Sequence, residues 1–475
     1  MTLYETLAQQ FIEDIRTRKL PAGSRLPALR VMAKQHQVSM TTATRTYEYL
    51  QQTGYIFAQP QSGYFVANQH EDVTFPSPIL TGIQTRDPKR FAPDHGYSPK
   101  VSFFNPLGTC MVSPEQLPLS ELQRCIKRVT QRSALQLMHY PEIQGDKTLR
   151  HALADHFRHD HFHFSADECV ITHGCIDSIR IAIESLTQVG DTVAISSPCF
   201  SGLLDLLATL SRNIIEIPCT HQGLDLALLE KKMQQGTIQA TLFSTSNINP
   251  IGITLSVEQK QALVKLATVH QIPMIEDDVY FELSHQKNLP LPAKYWDKEG
   301  YVVWCGSVSK TLAAGFRLGW CLPGRYQQRY TNHHAMTGFG INNLLQSSLA
   351  EFILTGEYRS HVHKIRLILH YQVHAYRQYL LEHLPNNALV SLPDGGLVLW
   401  VKIPDLNTSE LQEAAQKIHI DIRSGACFST HNAYHDCFRI NCGWPLHEDT
   451  EASRSTFQQL AKLCGLINTL NTPNE

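Results

Sequence analysis

A lysine lies in a turn that also carries two serines, and an arginine follows it. These residues are Ser307, Ser309, Lys310 and Arg317, with apolar segments on both sides of the turn. A lysine at a strand end is usually solvated, but hydroxyl groups and a guanidinium close by suit a Schiff base between the lysine amine and an aldehyde cofactor. The serines and the arginine would then bind the phosphate of that cofactor.

Polar side chains follow two other apolar segments. Asp277 and Tyr280 come at the end of one segment, and Asn249 comes after another. A carboxylate beside a pyridine nitrogen keeps that nitrogen protonated and makes the ring an electron sink, which suits Asp277. Tyr280 suits a phenolate oxygen on the same ring. These residue types indicate a pyridine-based cofactor.

Two further features suit a phosphorylated, planar ligand. Gly174, Cys175 and Ile176 form a glycine turn that opens a predicted helix. Free amides at a helix N-terminus bind phosphate, although a glycine before a helix is common and weak evidence alone. Phe200 follows another apolar segment, and it is either a core side chain or a ring stacked on the cofactor.

Six apolar segments are predicted strands, and amphipathic helices separate them. The strands span residues 169–172, 192–196, 240–244, 273–276, 302–305 and 318–321. Strands of this kind predict an α/β body whose mainly parallel sheet is covered by helices on both faces. Ligands bind at the carboxyl ends of such strands, which is where the polar residues above fall.

Residues 1–68 carry seven basic side chains against four acidic ones, whereas the rest of the chain is net acidic. Helical spacing of apolar residues predicts helices that begin at residue 3, after Pro27 and at Ser39, and two short strands follow at 55–57 and 64–66. This order is typical of an α+β winged helix-turn-helix. A small dimerisation or capping domain is the alternative, but the basic charge favours binding to double-stranded DNA.

Residues 69–99 contain five prolines and little periodicity, which predicts a linker, with ordered packing along the body as an alternative. The 475-residue chain has a net charge of −2 and twelve scattered cysteines without a Cys-x-x-Cys pair. It contains no apolar run of membrane-spanning length. We therefore expect a soluble, reduced, cytoplasmic protein with free thiols and no membrane partner.

Four histidines, His156, His159, His161 and His163, cluster at a predicted helix end. They could imitate a metal site, but the stretch offers no acidic or thiol geometry to complete one. Surface histidines are the favoured interpretation, and no metal is predicted.

The first segment resembles the GntR family of bacterial regulators through Gly23, Leu26-Pro27, the recognition helix at 38–42 and a glycine-tipped wing at 63–66. The residues that this resemblance places at DNA are Arg30, Ser39, Thr41, Thr42, Thr44, Gln61 and Gly63. The family usually has arginine where this chain has Met40. Loss of that cation implies weaker DNA binding or an altered sequence preference.

Residues 100–475 resemble the fold-type I pyridoxal-phosphate aminotransferases, with a small C-terminal α/β domain at roughly 360–475. The resemblance implies that Lys310, Asp277 and Tyr280 are catalytic and bind pyridoxal 5'-phosphate. The other cofactor-binding residues that it implies are Asn249, Phe200, Gly174, Cys175, Ile176, Ser307, Ser309, Arg317 and Tyr140. Tyr140 would reach the phosphate of the opposite subunit, which implies a homodimer, and Arg439 would bind a substrate's α-carboxylate.

Three positions depart from the aminotransferase pattern. Ile251 replaces a hydroxyl residue after asparagine–proline, Ile176 replaces a polar phosphate contact, and Cys175 replaces serine or threonine. These departures imply somewhat looser contacts with the phosphate or the ring.

The head and body together resemble the MocR-type regulators. This resemblance implies a transcription regulator in which the cofactor on Lys310, or an amino compound that forms an external aldimine with it, shifts the body between conformations. One alternative is a working aminotransferase with an accessory DNA-binding head. Another is a constitutive DNA binder with a structural body, which is disfavoured because such a body has no use for a buried amine facing an acid.

Overall fold

Two units share the chain, Met1–Val73 and Thr74–Glu475. The computed structural model describes residues 3–16, 19–21, 24–52, 55–59, 63–66, 80, 82–85, 106–132, 136–286, 288–431, 433–446 and 450–471. The predicted boundaries at residues 68 and 99 lie outside the described residues and stay predictions. Gln84, within the predicted linker, forms an isolated antiparallel bridge with Ile214 of the body.

In the first unit, three helices precede a two-stranded antiparallel sheet. The elements are α1 (Leu3–Arg16), α2 (Leu29–Gln35), α3 (Met40–Gln52), β1 (Ile56–Gln59) and β2 (Gly63–Val66). Leu7, Phe11 and Ile15 recur every four residues, so one face of α1 is apolar and packs into the core of this unit. The Tyr47 hydroxyl donates to the Pro27 carbonyl at 2.8 Å, which fixes α3 against the turn before α2. The predicted winged helix-turn-helix order is confirmed.

In the second unit, helices flank a large sheet. Its strands are β3 (Val170–Thr172), β4 (Thr192–Ser197), β5 (Asn213–Thr220), β6 (Gly223–Leu224), β7 (Ala240–Phe243), β8 (Met274–Asp277), β9 (Val302–Ser307) and β10 (Gly319–Leu322). Its helices are α4 (Leu119–Arg132), α5 (Lys147–Arg158), α6 (Cys175–Leu186), α7 (Ser201–Thr209), α8 (Leu226–Gln234), α9 (Val257–His270), α10 (Gln327–Gly338), α11 (Asn343–Leu354) and α12 (Glu357–His383).

The strand order of this sheet is β3-β10-β9-β8-β7-β4-β5-β6. The central neighbours from β9 to β5 are parallel, whereas β10 is antiparallel to both of its neighbours. The carboxyl ends of β4, β7, β8 and β9 therefore meet at one edge. The predicted mainly parallel sheet is confirmed, with β10 and the edge strand β6 as its antiparallel members.

A second, four-stranded antiparallel sheet lies in the C-terminal part. Its elements are β11 (Leu389–Val390), β12 (Val398–Lys402), α13 (Thr408–Lys417), β13 (Arg423–Ser424), β14 (Cys437–Asn441) and α14 (Glu451–Leu470). The strand order is β11-β12-β14-β13. Apolar residues of α12, α13 and α14 pack on this sheet in one cluster. The small domain is thus built on the far end of the long helix α12.

Side-chain caps fix several helix starts in the body. Asp146 accepts from the Leu149 amide before α5, and Asn342 accepts from the Leu345 amide before α11. All twelve cysteines are free, as predicted. Among the helices that the structure describes, none is long and apolar enough to cross a membrane.

Candidate functional site

Lys310 lies just after β9, at the edge where the parallel strands end. Its Nζ atom donates to the Cys110 carbonyl at 2.8 Å and lies 5.8 Å from the centre of the Tyr280 ring. The side chain is half-buried. A neutral carbonyl therefore holds the amine in place without forming an ion pair.

Asp277 ends β8 and is buried beside the start of α6. The Cys175 thiol donates to its Oδ1 atom at 3.2 Å. Burial raises the pKa of Asp277, while the thiol, the Val279 amide and the positive charge of Lys310 lower it. In the part of the chain that the structure describes, no cation pairs directly with Asp277, and a buried carboxylate of this kind favours a ligand that brings a proton to it.

Tyr280 and Asn249 meet at the same edge. The Asn249 amide donates to the Tyr280 hydroxyl at 3.4 Å, and the Cys110 thiol lies 2.8 Å from that hydroxyl. Burial, and next the Cys110 thiol, raise the pKa of Tyr280 well above its ordinary value, so this phenol stays protonated and can donate. The structure brings together the predicted partners of a ring oxygen.

Ser307, Ser309 and Arg317 form a second polar group near the amine. The two serine hydroxyls are 2.9 Å apart, and Arg317 Nη1 donates to Ser309 Oγ at 3.3 Å. Arg317 Nη2 donates to the His173 carbonyl at 3.1 Å. Arg317 adopts a left-handed backbone conformation, with φ of 49°, and its guanidinium is exposed.

Gly174 lies directly before α6 and closes this group. Its φ of 90° is a conformation that side chains disfavour. A Cβ atom at this position would lie 2.8 Å from Arg317 Nη2 and collide with it, so glycine allows the guanidinium to approach the start of α6. The first amides of α6 have no acceptor within the helix. The guanidinium and these amides together suit an anion.

Arg439 lies on β14 and is buried, with 4% of its surface exposed. Its Nη1 donates to Asn249 Oδ1 at 3.2 Å and its Nη2 donates to the Gly108 carbonyl at 2.8 Å. Among the described residues, no carboxylate pairs with it and its Nε atom has no hydrogen-bond partner. A buried guanidinium held by neutral groups is suited to a carboxylate from a ligand.

Three predicted site residues stand apart from these contacts. Phe200 is half-buried at the start of α7, with its ring against Gly202. Ile176 is exposed on the first turn of α6. Tyr140 is 91% exposed. The roles of these three residues stay predictions.

The prediction of surface histidines is wrong for His156. This residue is buried, and its Nε2 atom lies 2.6 Å from Glu282 Oε1. The partner carboxylate offsets the loss of hydration, which is why an imidazole can be buried there. His159, His161 and His163 are exposed, as predicted.

Sequence reasoning missed the segment from Gly108 to Cys110. Its carbonyl groups accept from Arg439 and Lys310, and the Cys110 thiol contacts Tyr280. Backbone carbonyls carry no residue-type signal, so motif spacing could not reveal these contacts. The one available signal was the glycine at 108.

In the head, most predicted DNA contacts lie on or near α3. Arg30 and Thr41 are exposed, Thr42 and Thr44 are half-buried, and Met40 is 46% exposed at the first position of α3. Ser39 Oγ accepts from the Thr42 amide at 3.0 Å, so it caps α3. Gly63 is exposed at the start of β2, whereas Gln61 lies outside the described residues.

Pyridoxal phosphate fits these residues. The Arg317 guanidinium beside the first amides of α6 suits its phosphate. The buried carboxylate of Asp277 suits its ring nitrogen, and the Tyr280 hydroxyl suits its ring oxygen. Lys310 supplies an amine at the same edge of the sheet.

Two family models match the chain. Residues 114–454 match aminotransferase class I and II, and residues 3–66 match the gntR family of bacterial regulatory proteins. The first match covers most of the body, and the second covers the described head.

Two regulators align with most of the chain, and a solved structure shares the fold of most of it. The chain is 32% identical to an uncharacterized HTH-type transcriptional regulator, YdcR, of Escherichia coli, over 98% of this chain and 99% of the relative. It is 25% identical to MocR of Rhizobium meliloti, a probable rhizopine catabolism regulatory protein, over 87% and 84% of the two chains. The kynurenine aminotransferase of Pyrococcus horikoshii shares the fold with a TM-score of 0.70, at 23% identity over 78% of this chain and 91% of that chain.

Proposed function

The chain belongs to the MocR type of GntR-family regulators, in which a GntR head is joined to an aminotransferase class I and II body, and we propose that an amino compound bound beside Lys310 controls how the heads bind double-stranded DNA. The cofactor of the body is pyridoxal phosphate. When bound, it supplies an aldehyde that condenses with primary amines. The protein would therefore respond to amines that reach this aldehyde.

The residues of the site have separable roles in this proposal. Arg317 and the amides after Gly174 would hold the phosphate, while Lys310 Nζ would hold the aldehyde end. Asp277 would keep a proton on the ring nitrogen, and the Tyr280 hydroxyl would donate to the ring oxygen. Arg439 would then orient any ligand that carries a carboxylate.

Arg439 is the observation that carries the proposal of an amino-acid-like ligand. A buried guanidinium without a carboxylate partner is costly unless a ligand supplies one. Its contacts with Asn249 and Gly108 aim it at the same edge as Tyr280. A ligand with an amine at Lys310 and a carboxylate at Arg439 would touch both the large and the small domain. Such a ligand can favour one relative arrangement of these domains over another.

A homodimer is part of this proposal. Met138, Tyr140, Met336 and Phe339 are each at least 73% exposed. The Asn343 side chain donates to the His139 carbonyl, which holds the first two residues close to the start of α11, four residues after Phe339. Exposed apolar residues of this kind favour an interface. A second copy would cover them, bring Tyr140 to its site and present two heads to two half-sites.

Binding to the DNA upstream of the protein's own gene tests the proposal. We expect that pyridoxal phosphate together with a panel of amino acids changes the affinity, footprint or bending of that DNA. Lys310→Ala should abolish the response, and Lys298→Ala, at an exposed lysine, should keep it. If the wild type binds this DNA with the same affinity, footprint and bending in the presence and absence of cofactor and amines, regulation through the body is refuted.

Transamination is the second candidate function. The chain of contacts from Arg439 through Asn249 to Tyr280 favours it, because groups for an amine and a carboxylate lie together. Transfer of the amino group from an amino acid to a keto acid over many turnovers would establish an enzyme. A single conversion per site followed by arrest would instead fit a sensor.

A further inference from the structure

Two arginines stand side by side on the small sheet. Arg423 of β13 lies directly opposite Arg439 of β14 in the antiparallel pairing. Their side chains therefore leave the same face, with Cβ atoms about 5 Å apart. Both are buried, with 7% and 4% of their surfaces exposed. Two positive charges this close together, away from water, repel each other unless anions offset them.

Asp421 offsets the charge of one of these arginines. Its Oδ1 atom accepts from Arg423 Nη1 in a close ion pair. Arg439 donates instead to the neutral side chain of Asn249 and the carbonyl of Gly108. In the described part of the chain, Arg439 has no carboxylate partner. The pair of arginines thus carries one excess positive charge.

Gly108 links the ion pair to the carboxylate-binding arginine. A Cβ atom at this glycine would lie 2.0 Å from Asp421 Oδ2, so the carboxylate lies against its backbone. The Oδ2 atom is buried and, among the described residues, has no hydrogen-bond partner. Burial raises the pKa of Asp421, whereas Arg423 and also Arg439 lower it. The carboxylate is therefore close enough to influence both guanidinium groups.

We propose that Asp421 determines specificity at this site: it neutralises Arg423, leaves Arg439 as the single free guanidinium, and so selects amino compounds with one carboxylate over those with two. This inference rests on the proposed function, since it requires a ligand carboxylate at Arg439. A second carboxylate beside the first would find Arg423 already occupied and would be repelled by Asp421.

Calorimetric titration of the full-length, cofactor-loaded protein with L-alanine and L-aspartate tests this inference, because these ligands differ by one carboxylate. The wild type should bind alanine more tightly. Asp421→Asn keeps the shape of the side chain and frees Arg423. It should shift the ratio of the two dissociation constants towards aspartate by about tenfold or more.

The control is Asp436→Asn, which removes a carboxylate that pairs with Lys402 at 3.0 Å elsewhere on the same sheet. It should leave the ratio unchanged. If Asp421→Asn does not fold, Arg423→Met decides the matter. It leaves Asp421 unpaired beside Arg439, so both ligands should bind about tenfold more weakly, and aspartate more so.

Different outcomes separate this inference from the proposed function. A wild type that binds neither amino acid overturns both. A wild type that binds alanine, with an unchanged ratio in folded Asp421→Asn, overturns only the specificity role of Asp421. Unchanged affinities in Arg423→Met overturn it as well.

Discussion

At the residue scale, neutral backbone carbonyl groups hold the two cationic side chains of the site. Lys310 donates to the Cys110 carbonyl, and Arg439 donates to the Gly108 carbonyl. A carbonyl orients a cation without neutralising it, so both groups remain available to a ligand. Two carbonyl groups of one short segment, two residues apart in the sequence, thus position both the Lys310 amine and the Arg439 guanidinium.

Met40 gives a prediction for the head. It is exposed at the first turn of α3, where the family usually has arginine. Met40→Arg adds a cation that can contact a phosphate, so DNA affinity should rise by about tenfold and the salt dependence of log K should steepen by about one. Titration of labelled DNA at several salt concentrations measures both. Leu3→Arg adds the same charge to α1. An equal rise in DNA affinity in that variant would show that the effect does not depend on the position of residue 40 on α3.

Asp278 gives a prediction about pH. Burial, and next the charge of Glu276, raise its pKa to about 7, although Lys260 lowers it. Since the ordinary pKa is about 4, the folded state binds this proton more tightly than the unfolded chain does. The resulting stability is present below about pH 4 and is lost as pH rises to about 7.

Asp278→Asn removes this titration. The free energy of unfolding of the variant, relative to the wild type, should therefore increase between pH 4 and pH 8 by about 1–4 kcal/mol. Urea denaturation across this pH range measures it. Glu230→Gln, at an exposed carboxyl group on α8, should follow the wild type. A constant difference between Asp278→Asn and the wild type would contradict the assignment.

At the scale of elements, the first turn of α12 is connected to the turn that carries Lys310. Thr311, the neighbour of Lys310, lies 2.9 Å from the Tyr358 hydroxyl, and its carbonyl lies 2.8 Å from His361 Nε2. The Tyr358 hydroxyl also donates to Glu282 at 2.6 Å. Because α12 continues into the small domain, it connects the turn that contains Lys310 and Thr311 to the sheet that carries Arg439.

Tyr358→Phe tests this connection. The change removes a buried hydroxyl with two partners, so unfolding should become easier by about 1–3 kcal/mol. It should also weaken cofactor binding several-fold, because Thr311, next to Lys310, loses its hydrogen bond with the Tyr358 hydroxyl. Tyr376→Phe is the matched control, since that buried hydroxyl on α12 donates to the Trp444 carbonyl instead. Thermal unfolding should show a loss of stability in both variants. Cofactor titration should show a loss of affinity in Tyr358→Phe alone.

The sequence predicted six strands of the large sheet but missed β5. Strand β5 contains Glu216, which interrupts its apolar pattern. The structure buries Glu216 because Ser429 and the Thr430 hydroxyl donate to it, and those residues lie more than two hundred positions away. Such a pairing depends on the tertiary fold, so local pattern could not reveal it.

The same distinction applies to the site. Lys310, Asp277 and Arg317 are predictable because residue type and spacing define their chemistry. The ion pair between Asp421 and Arg423 is not, since its importance comes from the register that places Arg423 opposite Arg439. Strand register follows from the packing of the whole small domain, and the sequence pattern of β13 is too short to specify it.

At the scale of the whole molecule, we expect exposed Tyr140 to complete the site of a second copy of the chain. If Tyr140 reaches the phosphate in the partner's site, Tyr140→Ala should weaken cofactor binding about tenfold. Lys310→Ala should prevent the covalent attachment of cofactor. In a dimer formed from one chain of each variant, one site keeps Lys310 and receives Tyr140, whereas the other site has neither.

Mixed dimers, purified through two different affinity tags, should therefore bind one cofactor per dimer with wild-type affinity and a visible absorbance that borohydride abolishes. The wild type should bind two. Tyr295→Ala, at a tyrosine that is 45% exposed, should bind two cofactors per dimer with wild-type affinity when both chains carry it. Because separate sites within one chain could never restore each other in this way, a mixed dimer with no site of wild-type affinity would contradict a site shared between subunits.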